Sequence, residues 1–313
     1  MKRFLLPHLI CPACLPKEHR LVVSVGHEKD GDIITGDLSC PKCKRRFPVK
    51  EGIAVLVPDP GSALSEGHWR YEDPDTLNRY LWSHYADLHG DEENGAANAA
   101  WADCLADGAG SALDAGCSVG RLAFEMAARG GWAVGCDLSQ SFVRTARRLA
   151  RDRSLTYSLP LEGKLRETFQ VRLPDAWRTD NLDFVVADAL RLPFAGETFQ
   201  QCASLNVLDR ISYPLAHLFE MNRIACCRGA SFLFASPFSW SSSEIPEELW
   251  LGGTATGPYQ GRGLENVRAL LEGKGRIISP KWRIKQSGSI QWKMRSHRNH
   301  CESFRSDVLV AER

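Results

Sequence analysis

A glycine-rich turn between a predicted strand and a predicted helix is the feature that most constrains this 313-residue chain. The run from Leu113 to Arg121 reads LDAGCSVGR, and the next predicted strand ends at Asp137. Gly116 lets the backbone turn tightly, and a helix that starts near Val119 would present unpaired N–H groups to a ligand. An acid at the end of the second strand can accept hydrogen bonds from both hydroxyls of a ribose. The pattern therefore predicts a site for a nucleoside cofactor.

A second acid in the turn distinguishes between two such cofactors. Asp114 lies two residues before Gly116, where its carboxylate would repel the pyrophosphate that a G-x-G-x-x-G dinucleotide site binds. The spacing Asp-x-Gly-x-Ser-x-Gly resembles the first motif of the class I S-adenosylmethionine (SAM)-dependent methyltransferases, where such an acid suits the amino acid end of SAM. The resemblance implies that Asp137 binds the ribose and that Asp188 lies beside the adenine. A turn or helix-dipole role is the alternative for Asp114 alone. The residues expected to bind SAM are Asp114, Gly116, Cys117, Gly120, Asp137, Leu138, Asp188, Ala189 and Asn206.

The composition argues against a charge-driven partner and against a membrane span. The chain has 39 Lys and Arg against 38 Asp and Glu, so that no global positive field attracts nucleic acid. No stretch reaches the roughly 18 consecutive apolar residues that a transmembrane helix needs. The apolar stretch near the start is short and is broken by Pro7 and His8, unlike a signal peptide. We therefore expect a cytoplasmic protein without membrane contact.

Four of the eleven cysteines form two C-P-x-C pairs, which predict a metal site. Each pair directs two thiolates at one centre, and two pairs complete a tetrahedral zinc site. Because four thiolates close the coordination sphere, we predict a structural Zn²⁺ ion without a catalytic role. The segment between the pairs alternates apolar and polar residues around a Gly31-Asp32 turn, which predicts a hairpin. The other seven cysteines lie in apolar contexts and are expected to be small buried hydrophobes. The expected zinc ligands are Cys11, Cys14, Cys40 and Cys43.

The segment after the second cysteine pair carries a further resemblance. Between Phe47 and Pro58 it reads FPV, then GI, then LVP. Together with the cysteine pairs, this pattern resembles the small zinc-ribbon proteins that bind and stabilise RNA and protein methyltransferases, over residues 8–58. The resemblance implies a docking module fused to its own methyltransferase, and a separate protein partner is the alternative.

From residue 111 onward, strand patterns alternate with helix patterns, which is typical of a doubly wound parallel sheet. The sequence predicts an α/β fold: a Rossmann-like, doubly wound, seven-stranded methyltransferase sheet preceded by a small β-rich zinc ribbon. We expect a zinc ribbon over 1–58, a linker and helical segment over 59–110, and the SAM-dependent methyltransferase domain over 111–313. Within the middle region we expect a linker at 59–70, a helix at 76–89 and an exposed turn at 91–98. The predicted strands lie near 111–115, 132–136, 182–187, 199–206, 230–236, 275–285 and 304–312. The predicted helices lie near 119–129, 140–152, 214–226 and 262–273.

Four other stretches resemble a narrower family. They are Tyr157–Gly163, Asn206–Ile211, Ser236–Trp240 and Leu249–Gly253. They are similar to the methyltransferase domain of ovothiol synthase, which methylates a ring nitrogen of thiohistidine (mercaptohistidine), and the similarity covers residues 70–313. It implies a small-molecule acceptor such as thiohistidine. A zinc ribbon stands in place of that enzyme's iron-dependent sulfur-inserting domain. We therefore expect thiohistidine to come from another protein, or the acceptor to be a different small imidazole or thiol.

Candidate acceptor-binding residues lie at the C-terminal ends of the strands, where open α/β sheets bind ligands, and on the helix before the sheet. Methyl transfer from a sulfonium needs mainly a nucleophile held in line with water excluded. Arg210 is the candidate for the carboxylate of a histidine-like acceptor. As alternatives, Asp209 and Arg210 can form an ion pair in a loop, and Trp240 can pack in the core. Tyr80 and His84 share a helix face that can equally be core or solvated. The candidates are Asn206, Asp209, Arg210, Ser236, Trp240, Tyr80 and His84.

Two other functions stay open from the sequence. Zinc-ribbon ribosomal RNA guanine methyltransferases share this domain order, and residues 274–305 are rich in basic side chains that could bind phosphate. Against RNA, the segment Asn206–Asp209 lacks the Asn-Pro-Pro-Tyr signature of amide methylation, and a charge run is usually a solvated face. A non-catalytic scaffold that binds SAM and stabilises a partner enzyme is the other function. The sequence leaves open the oligomeric state and whether nitrogen or sulfur is methylated. The basic residues are Lys274, Arg276, Lys281, Arg283, Lys285, Lys293, Arg295, Arg298 and Arg305.

Overall fold

The computed structural model describes residues 1–58, 70–90 and 92–313. The predicted linker at 59–70 lies outside these residues except for Arg70. The strands are β1 (Val22–Lys29), β2 (Asp32–Ser39), β3 (Arg46–Lys50), β4 (Ile53–Ala54), β5 (Ser111–Ala115), β6 (Trp132–Asp137), β7 (Ser154–Glu162), β8 (Leu165–Arg172), β9 (Leu182–Val186), β10 (Gln201–Leu205), β11 (Ser231–Ser236), β12 (Arg283–His297) and β13 (His300–Glu312). The helices are α1 (Pro74–Tyr85), α2 (Glu92–Asp103), α3 (Arg121–Arg129), α4 (Gln140–Asp152), α5 (Pro214–Ile224) and α6 (Gly263–Leu271).

The N-terminal strands form the predicted hairpin within a small antiparallel sheet of order β1-β2-β3-β4. The β1–β2 turn uses Asp30 (φ 52°) and Gly31 (φ 76°), whose left-handed backbone matches the twist of a two-residue hairpin loop. Ile33 and Leu38 of β2 and Phe47 of β3 are buried. These side chains belong to an apolar cluster that continues into the larger sheet, so the ribbon does not rely on a core of its own.

The larger sheet has seven strands in the order β12-β13-β11-β10-β5-β6-β9, which confirms the predicted fold class. The strands from β11 to β9 in this order are parallel, while β13 runs antiparallel to β11. The chain passes from β9 at one edge to β10 on the other side of β5. Ligands of open α/β sheets bind at such a reversal, outside the carboxyl ends of the strands. Among the described residues, every helix is too short or too polar to span a lipid bilayer.

Three segments differ from the prediction. The strand expected at 275–285 begins only at Arg283 and continues to His297, so that β12 and β13 form a long hairpin that extends past the sheet. The turn expected at 91–98 is wrong from Glu92 onward, where α2 begins. The β7–β8 hairpin has no counterpart in the prediction. α1, α2 and β7 all pack on β12. These contacts between distant parts of the sequence stabilise a helix and long strands where the local residues alone predict a turn or a shorter strand.

The ribbon packs along the outer edge of β9, which would otherwise expose unpaired backbone groups. Val55 forms a parallel bridge to Val186, and the Leu56 amide donates a hydrogen bond to the Val186 carbonyl at 2.8 Å. Nearer the start of the chain, the Ile10 amide donates to the Pro193 carbonyl at 2.9 Å. The ribbon therefore docks on the larger domain of its own chain.

A half-buried arginine of α4 joins the ribbon to β9. The Arg147 guanidinium contacts Asp32 of β2 at 2.5 Å and also pairs with Asp183 of β9. The Lys2 amide donates a further hydrogen bond to Asp183 at 2.7 Å. Because the Asp183 side chain is only 1% exposed, these partners replace water in stabilising its carboxylate.

We expect Arg147→Ala to lower the free energy of unfolding by about 3–5 kcal/mol, because it leaves the Asp183 carboxylate buried without its charge partner. Arg144→Ala is the matched control, since Arg144 is 58% exposed and meets Glu51 of the ribbon at 3.5 Å. Loss of that exposed pair costs at most about 1 kcal/mol. Urea unfolding measures both variants, and equal losses would show that the buried pair does not stabilise the docked ribbon.

Candidate cofactor and acceptor site

A cavity of about 410 Å³ opens at the carboxyl ends of the parallel strands, at the reversal of strand order. The floor of the cavity consists of residues at or just after the ends of β5, β6, β9, β10 and β11. Its roof consists of α1, α2 and the β12–β13 hairpin. The floor includes Asp114, Gly116, Cys117, Ser118, Asp137, Leu138, Asp188, Ala189, Asn206 and Val207. The roof includes Arg79, Tyr80, Ser83, His84, Asn98, Trp101, Trp292, Met294 and Phe304.

Three acids from three neighbouring strand ends meet on the floor. Asp137 accepts hydrogen bonds from the amides of Ser118 and Ser139, both at 2.9 Å. Asp188 accepts one from a nearby backbone amide at 2.9 Å. Asp114 is 2% exposed and also lines the cavity. The structure thus brings the three predicted acids into one site.

The floor concentrates negative charge in a buried place. Burial, and secondly the Asp137 carboxylate, raise the pKa of Asp114 to about 7. Burial raises the pKa of Asp137 to about 6, although backbone amides oppose the shift, and burial also raises the pKa of Asp188. A bound cation would favour the ionised form of each acid, whereas a pyrophosphate would be repelled. SAM carries a sulfonium and an ammonium group, so these residues fit SAM.

The glycine turn depends on left-handed backbone conformations. Gly116 has φ 76°, and a Cβ atom there would lie 2.3 Å from Val207. Gly120 has φ 89°, precedes α3 and is not among the residues that line the cavity, so it shapes the turn. The amides of Gly116 and Cys117 donate to the Cys136 carbonyl, at 2.8 and 3.0 Å. These two amides are therefore bound to the neighbouring strand β6 and hold the turn against it.

Tyr80 and His84 lie one turn apart on α1, and both line the cavity. The Tyr80 ring packs against Phe142 with centroids 4.8 Å apart. Burial, followed by the positive charge of Arg121, lowers the pKa of His84 to about 4. The imidazole is therefore neutral at pH 7, and its buried Nδ1 atom has no hydrogen-bond partner.

The residues after β10 divide between the cavity and the structure beneath it. Asn206 (φ 60°) lines the cavity and accepts a hydrogen bond from a serine hydroxyl of β13 at 2.6 Å. Arg210 also lines it and pairs with Glu244 at 3.1 Å. Asp209 is fully buried behind the lining and accepts hydrogen bonds from the Ser236 hydroxyl at 3.1 Å and from a backbone amide at 3.0 Å. The Arg210 Nε atom lies 3.8 Å from Asp209, which is the ion pair given as the alternative. Asp209 and Ser236 lie outside the cavity lining, where their hydrogen bond stabilises the loop.

The aromatic candidates of the loop after β11 lie outside the cavity lining. Trp240 stacks on Trp250 with centroids 5.9 Å apart and ring planes 13° apart. Neither residue lines the cavity. The packing alternative therefore accounts for Trp240, because its ring is covered by another ring of the same loop.

The roof contains aromatic residues that the sequence prediction misses. Trp101 of α2, Trp292 of β12 and Phe304 of β13 all line the cavity. Trp292 stacks on Phe304 with centroids 4.5 Å apart. Trp292 and Met294 share one face of β12, a period-two signal that the sequence carries. The sequence does not show that this face meets the cavity, because the hairpin reaches it only by extending past the sheet.

Polar atoms without partners concentrate at the cavity. Among the described residues, eight buried side-chain nitrogen or oxygen atoms have no hydrogen-bond partner, and five of them belong to lining residues. Each such atom costs about 1–3 kcal/mol. The wall is therefore suited to a polar ligand. The five residues are Arg79, His84, Trp101, Ser118 and Arg121.

Several basic residues between 274 and 305 have carboxylate partners within the chain. Arg295 pairs with Glu167 of β8 at 2.6 Å. Arg283 and Lys285 approach Glu312 at 3.6 and 3.3 Å. Carboxylates from other strands thus offset part of the positive charge in this region.

The four cysteines of the two C-P-x-C pairs come together in the ribbon. Their Sγ atoms all lie within 4.8 Å of one another, with Cys11 and Cys43 at 3.6 Å and Cys14 and Cys40 at 3.8 Å. A tetrahedral Zn²⁺ ion with bonds of about 2.3 Å separates its sulfur ligands by about 3.8 Å. The cluster therefore fits a closed zinc site, and none of its cysteines lines the cavity.

We expect the purified chain to contain one zinc ion, and Cys40→Ser to lose it and to lower the melting temperature, because a structural site contributes folding free energy. Cys227→Ser, at an exposed cysteine outside the cluster, is the control and should retain the metal. Elemental analysis of the two variants checks this, and full zinc occupancy in Cys40→Ser would contradict the four-thiolate site.

We expect the affinity for SAM to rise with pH through the range of about 6 to 7, because the ionised acids bind the cofactor and the pKa of Asp137 is about 6 and that of Asp114 about 7. Below both values the acids are protonated, and each required ionisation weakens binding up to about tenfold per pH unit. Asp137→Asn should bind weakly with a flatter profile, whereas Asp107→Asn, at an 84% exposed acid, should follow the wild type. Titration calorimetry at several pH values measures this, and a constant wild-type affinity would refute it.

Two family models match the chain. A model described as a methyltransferase domain matches residues 113–233, which include the three acids and the glycine turn. A model described as Trm112p-like protein matches residues 2–52, which include the four clustered cysteines. No curated protein sequence matches the chain.

Several solved structures resemble the chain at low identity. The [4+2]-cyclase SpnF is 18% identical with a TM-score of 0.40, over 62% of this chain and 58% of that one. A SAM-dependent methyltransferase from Methanosarcina mazei is 16% identical with a TM-score of 0.44, over 67% of this chain and 95% of that one. A chain of the complex between the Haloferax volcanii Trm112 methyltransferase activator and a methyltransferase is 17% identical with a TM-score of 0.40, over 68% of this chain and 79% of that one. The two family models, the acids of the floor and the cysteine cluster agree: the chain is a methyltransferase in which a Trm112p-like zinc ribbon precedes a SAM-binding methyltransferase domain.

Proposed function

We propose that this methyltransferase transfers the methyl group of SAM to a ring nitrogen of a small imidazole thiol such as thiohistidine, as in the methyltransferase domain of ovothiol synthase. The observation that carries the proposal is the roof, which covers the acceptor side of the cavity with aromatic rings and unpartnered polar atoms. A cavity of about 410 Å³ falls within the range of small-molecule sites, about 300–1,000 Å³. This volume supports a small acceptor, and a flat polar ring suits these walls.

The aromatic walls favour an imidazole. The rings of Trp101 and Trp292 lie with centroids 6.5 Å apart and are inclined by 53°, so that they line two sides of the roof. Aromatic faces stack well on a flat ring, and their bulk excludes water. A nitrogen or sulfur nucleophile that is freed of water attacks more readily, which is what this transfer requires.

We propose that the floor holds SAM through its three acids. Asp137 accepts hydrogen bonds from the ribose hydroxyls, Asp188 and Ala189 contact the adenine, and Asp114 attracts the ammonium group. When bound, SAM supplies a methyl group on a positively charged sulfur, which a nucleophile displaces in line. The negative floor complements that charge, while Gly116 keeps the turn narrow enough for close approach.

His84 has the properties of a neutral hydrogen-bond acceptor for the acceptor ring. A ring nitrogen that gains a methyl group leaves the ring positively charged until the other nitrogen releases its proton. His84 is neutral, because burial lowers its pKa to about 4, and its Nδ1 atom has no partner. His84 can accept a hydrogen bond from that N–H while the proton leaves for solvent, whereas Tyr80, whose pKa burial raises, stays protonated and serves to position ligands.

For the ribbon we propose an internal partner. The Trm112p-like region docks along β9 of its own chain through Val55, Val186 and the pairs of Arg147. Because β9 leads directly to Asp188, this docking supports the adenine side of the floor. A cytoplasmic location is consistent with described cysteines that form no disulfide.

We expect the full chain, incubated with SAM and thiohistidine, to yield monomethylated thiohistidine, and histidine to yield less. Mass spectrometry detects the product, and NMR distinguishes ring-nitrogen from sulfur methylation. At limiting SAM, Asp137→Ala should lower the product at least about tenfold, because hydrogen bonds to a charged group are among the stronger ones. Asp107→Ala, which changes an exposed acid, should retain full activity.

The absence of methylated thiohistidine, alongside measured SAM binding, would overturn the proposed acceptor. RNA methylation that weakens steeply with salt, and with neutralisation of Lys281, Arg283 and Lys285, would indicate an RNA methyltransferase. SAM binding without turnover, together with stoichiometric capture of one protein, would indicate a scaffold. The covered acceptor side supports a small molecule over both.

A further inference from the structure

We propose that Arg79 and Trp101 bind the carboxylate of an amino acid acceptor, an inference that rests on the proposed function and adds a residue-level subsite to it. Arg79 lies on α1 and Trp101 on α2, and both line the cavity. The Nε atom of Arg79 and the Nε1 atom of Trp101 are buried and have no hydrogen-bond partner. Both atoms carry a hydrogen and neither can accept one, so only an acceptor group can satisfy them.

The other arginines of the cavity are already bound to acids of the chain. Arg121 binds two carboxylates, the nearer being Asp87 at 2.8 Å. Arg70 and Arg210 share Glu244, at 2.9 and 3.1 Å. Arg210, which the sequence suggested for the acceptor's carboxylate, lies near two acids of the chain, Glu244 at 3.1 Å and Asp209 at 3.8 Å, which offset its charge.

Arg79 and Arg121 each keep a buried Nε–H without a partner, but Arg79 has one acidic partner where Arg121 has two. The Arg79 Nη2 atom bonds Glu302 of β13 at 2.7 Å, and the Glu302 side chain is 42% exposed. Solvent weakens the pairing of an exposed carboxylate, so the guanidinium keeps much of its attraction for a second anion. The ligand would use the Nε–H while Glu302 retains Nη2.

The surroundings select a carboxylate and orient it. Trp292, Met294 and Phe304 make this part of the roof largely apolar, and a charge-assisted hydrogen bond is stronger there than in water. The three acids of the floor repel anions, so the carboxylate of an amino acid acceptor points toward the roof. The ring then turns toward the floor, where the cofactor site lies.

Matched variants separate this subsite from general damage to the protein. Arg79→Gln removes the charge, and Trp101→Phe removes the N–H while it keeps an aromatic ring. Arg268→Gln and Trp240→Phe are the controls, because Arg268 Nε and Trp240 Nε1 are also buried without partners but belong to residues outside the cavity lining. Thiohistidine and its decarboxylated amine are titrated calorimetrically into the full chain saturated with S-adenosylhomocysteine, so that the measurement does not need turnover.

We expect Arg79→Gln and Trp101→Phe each to weaken thiohistidine binding about tenfold or more, and to leave binding of the decarboxylated amine within about twofold of wild type. The two controls should bind both ligands as the wild type does. Equal losses for both ligands, or no wild-type preference for the carboxylate, would overturn the subsite. Product formation by variants that keep the full preference would refute the subsite and leave the proposed reaction standing. A carboxylate preference that the variants lose, without any methylated product, would support the subsite and refute the reaction.

Discussion

The backbone contact along the edge of β9 is the interaction on which both parts of this molecule depend. An end strand of a parallel sheet carries unpaired N–H and C=O groups, and here the ribbon segment through Val55 and Leu56 covers them. The same contact lets the ribbon share the apolar cluster of the larger sheet, which a domain of this size needs. Because β9 leads directly to Asp188, the strand that receives the ribbon also builds one side of the cofactor site.

The two sides of the cavity differ in their polar groups, acids on the floor and unpartnered N–H donors in the roof, and we propose that this difference orders the ligands. On the floor, burial raises the pKa of Asp114 and Asp137, and the Asp137 carboxylate raises that of Asp114 further, so that a cation such as SAM relieves an unfavourable arrangement. In the roof, Arg79 and Trp101 hold N–H groups without acceptors. In the proposed reaction, a cofactor with positive charge and an acceptor with a carboxylate therefore occupy separate places, with the reacting atoms between them.

The zinc ligands and the floor acids could be predicted from the sequence, because each group follows from short spacings within one strand, turn or cysteine pair. The structure places Cys11, Cys14, Cys40 and Cys43 in one cluster. Roles assigned by proximity to strand ends were less reliable. Asp209 lies close to Asn206 in sequence, yet it is buried beneath the loop, because its carboxylate accepts the hydrogen bonds that steady that loop. The packing of Trp240 on Trp250 likewise depends on how a long loop folds back.

By itself, the sequence determined the parallel sheet, the glycine turn, the acids at the strand ends and the zinc ribbon. These features are local: a left-handed glycine, an alternating apolar pattern or a C-P-x-C spacing restricts the backbone whatever lies around it. Only the tertiary structure decided the roof and the docking of the ribbon. Trp101, Trp292 and Phe304 come from α2, β12 and β13, and they meet because the hairpin extends past the sheet and packs on the helices. Such contacts join residues that are far apart in the chain, and no local pattern specifies which distant surface a strand face will meet.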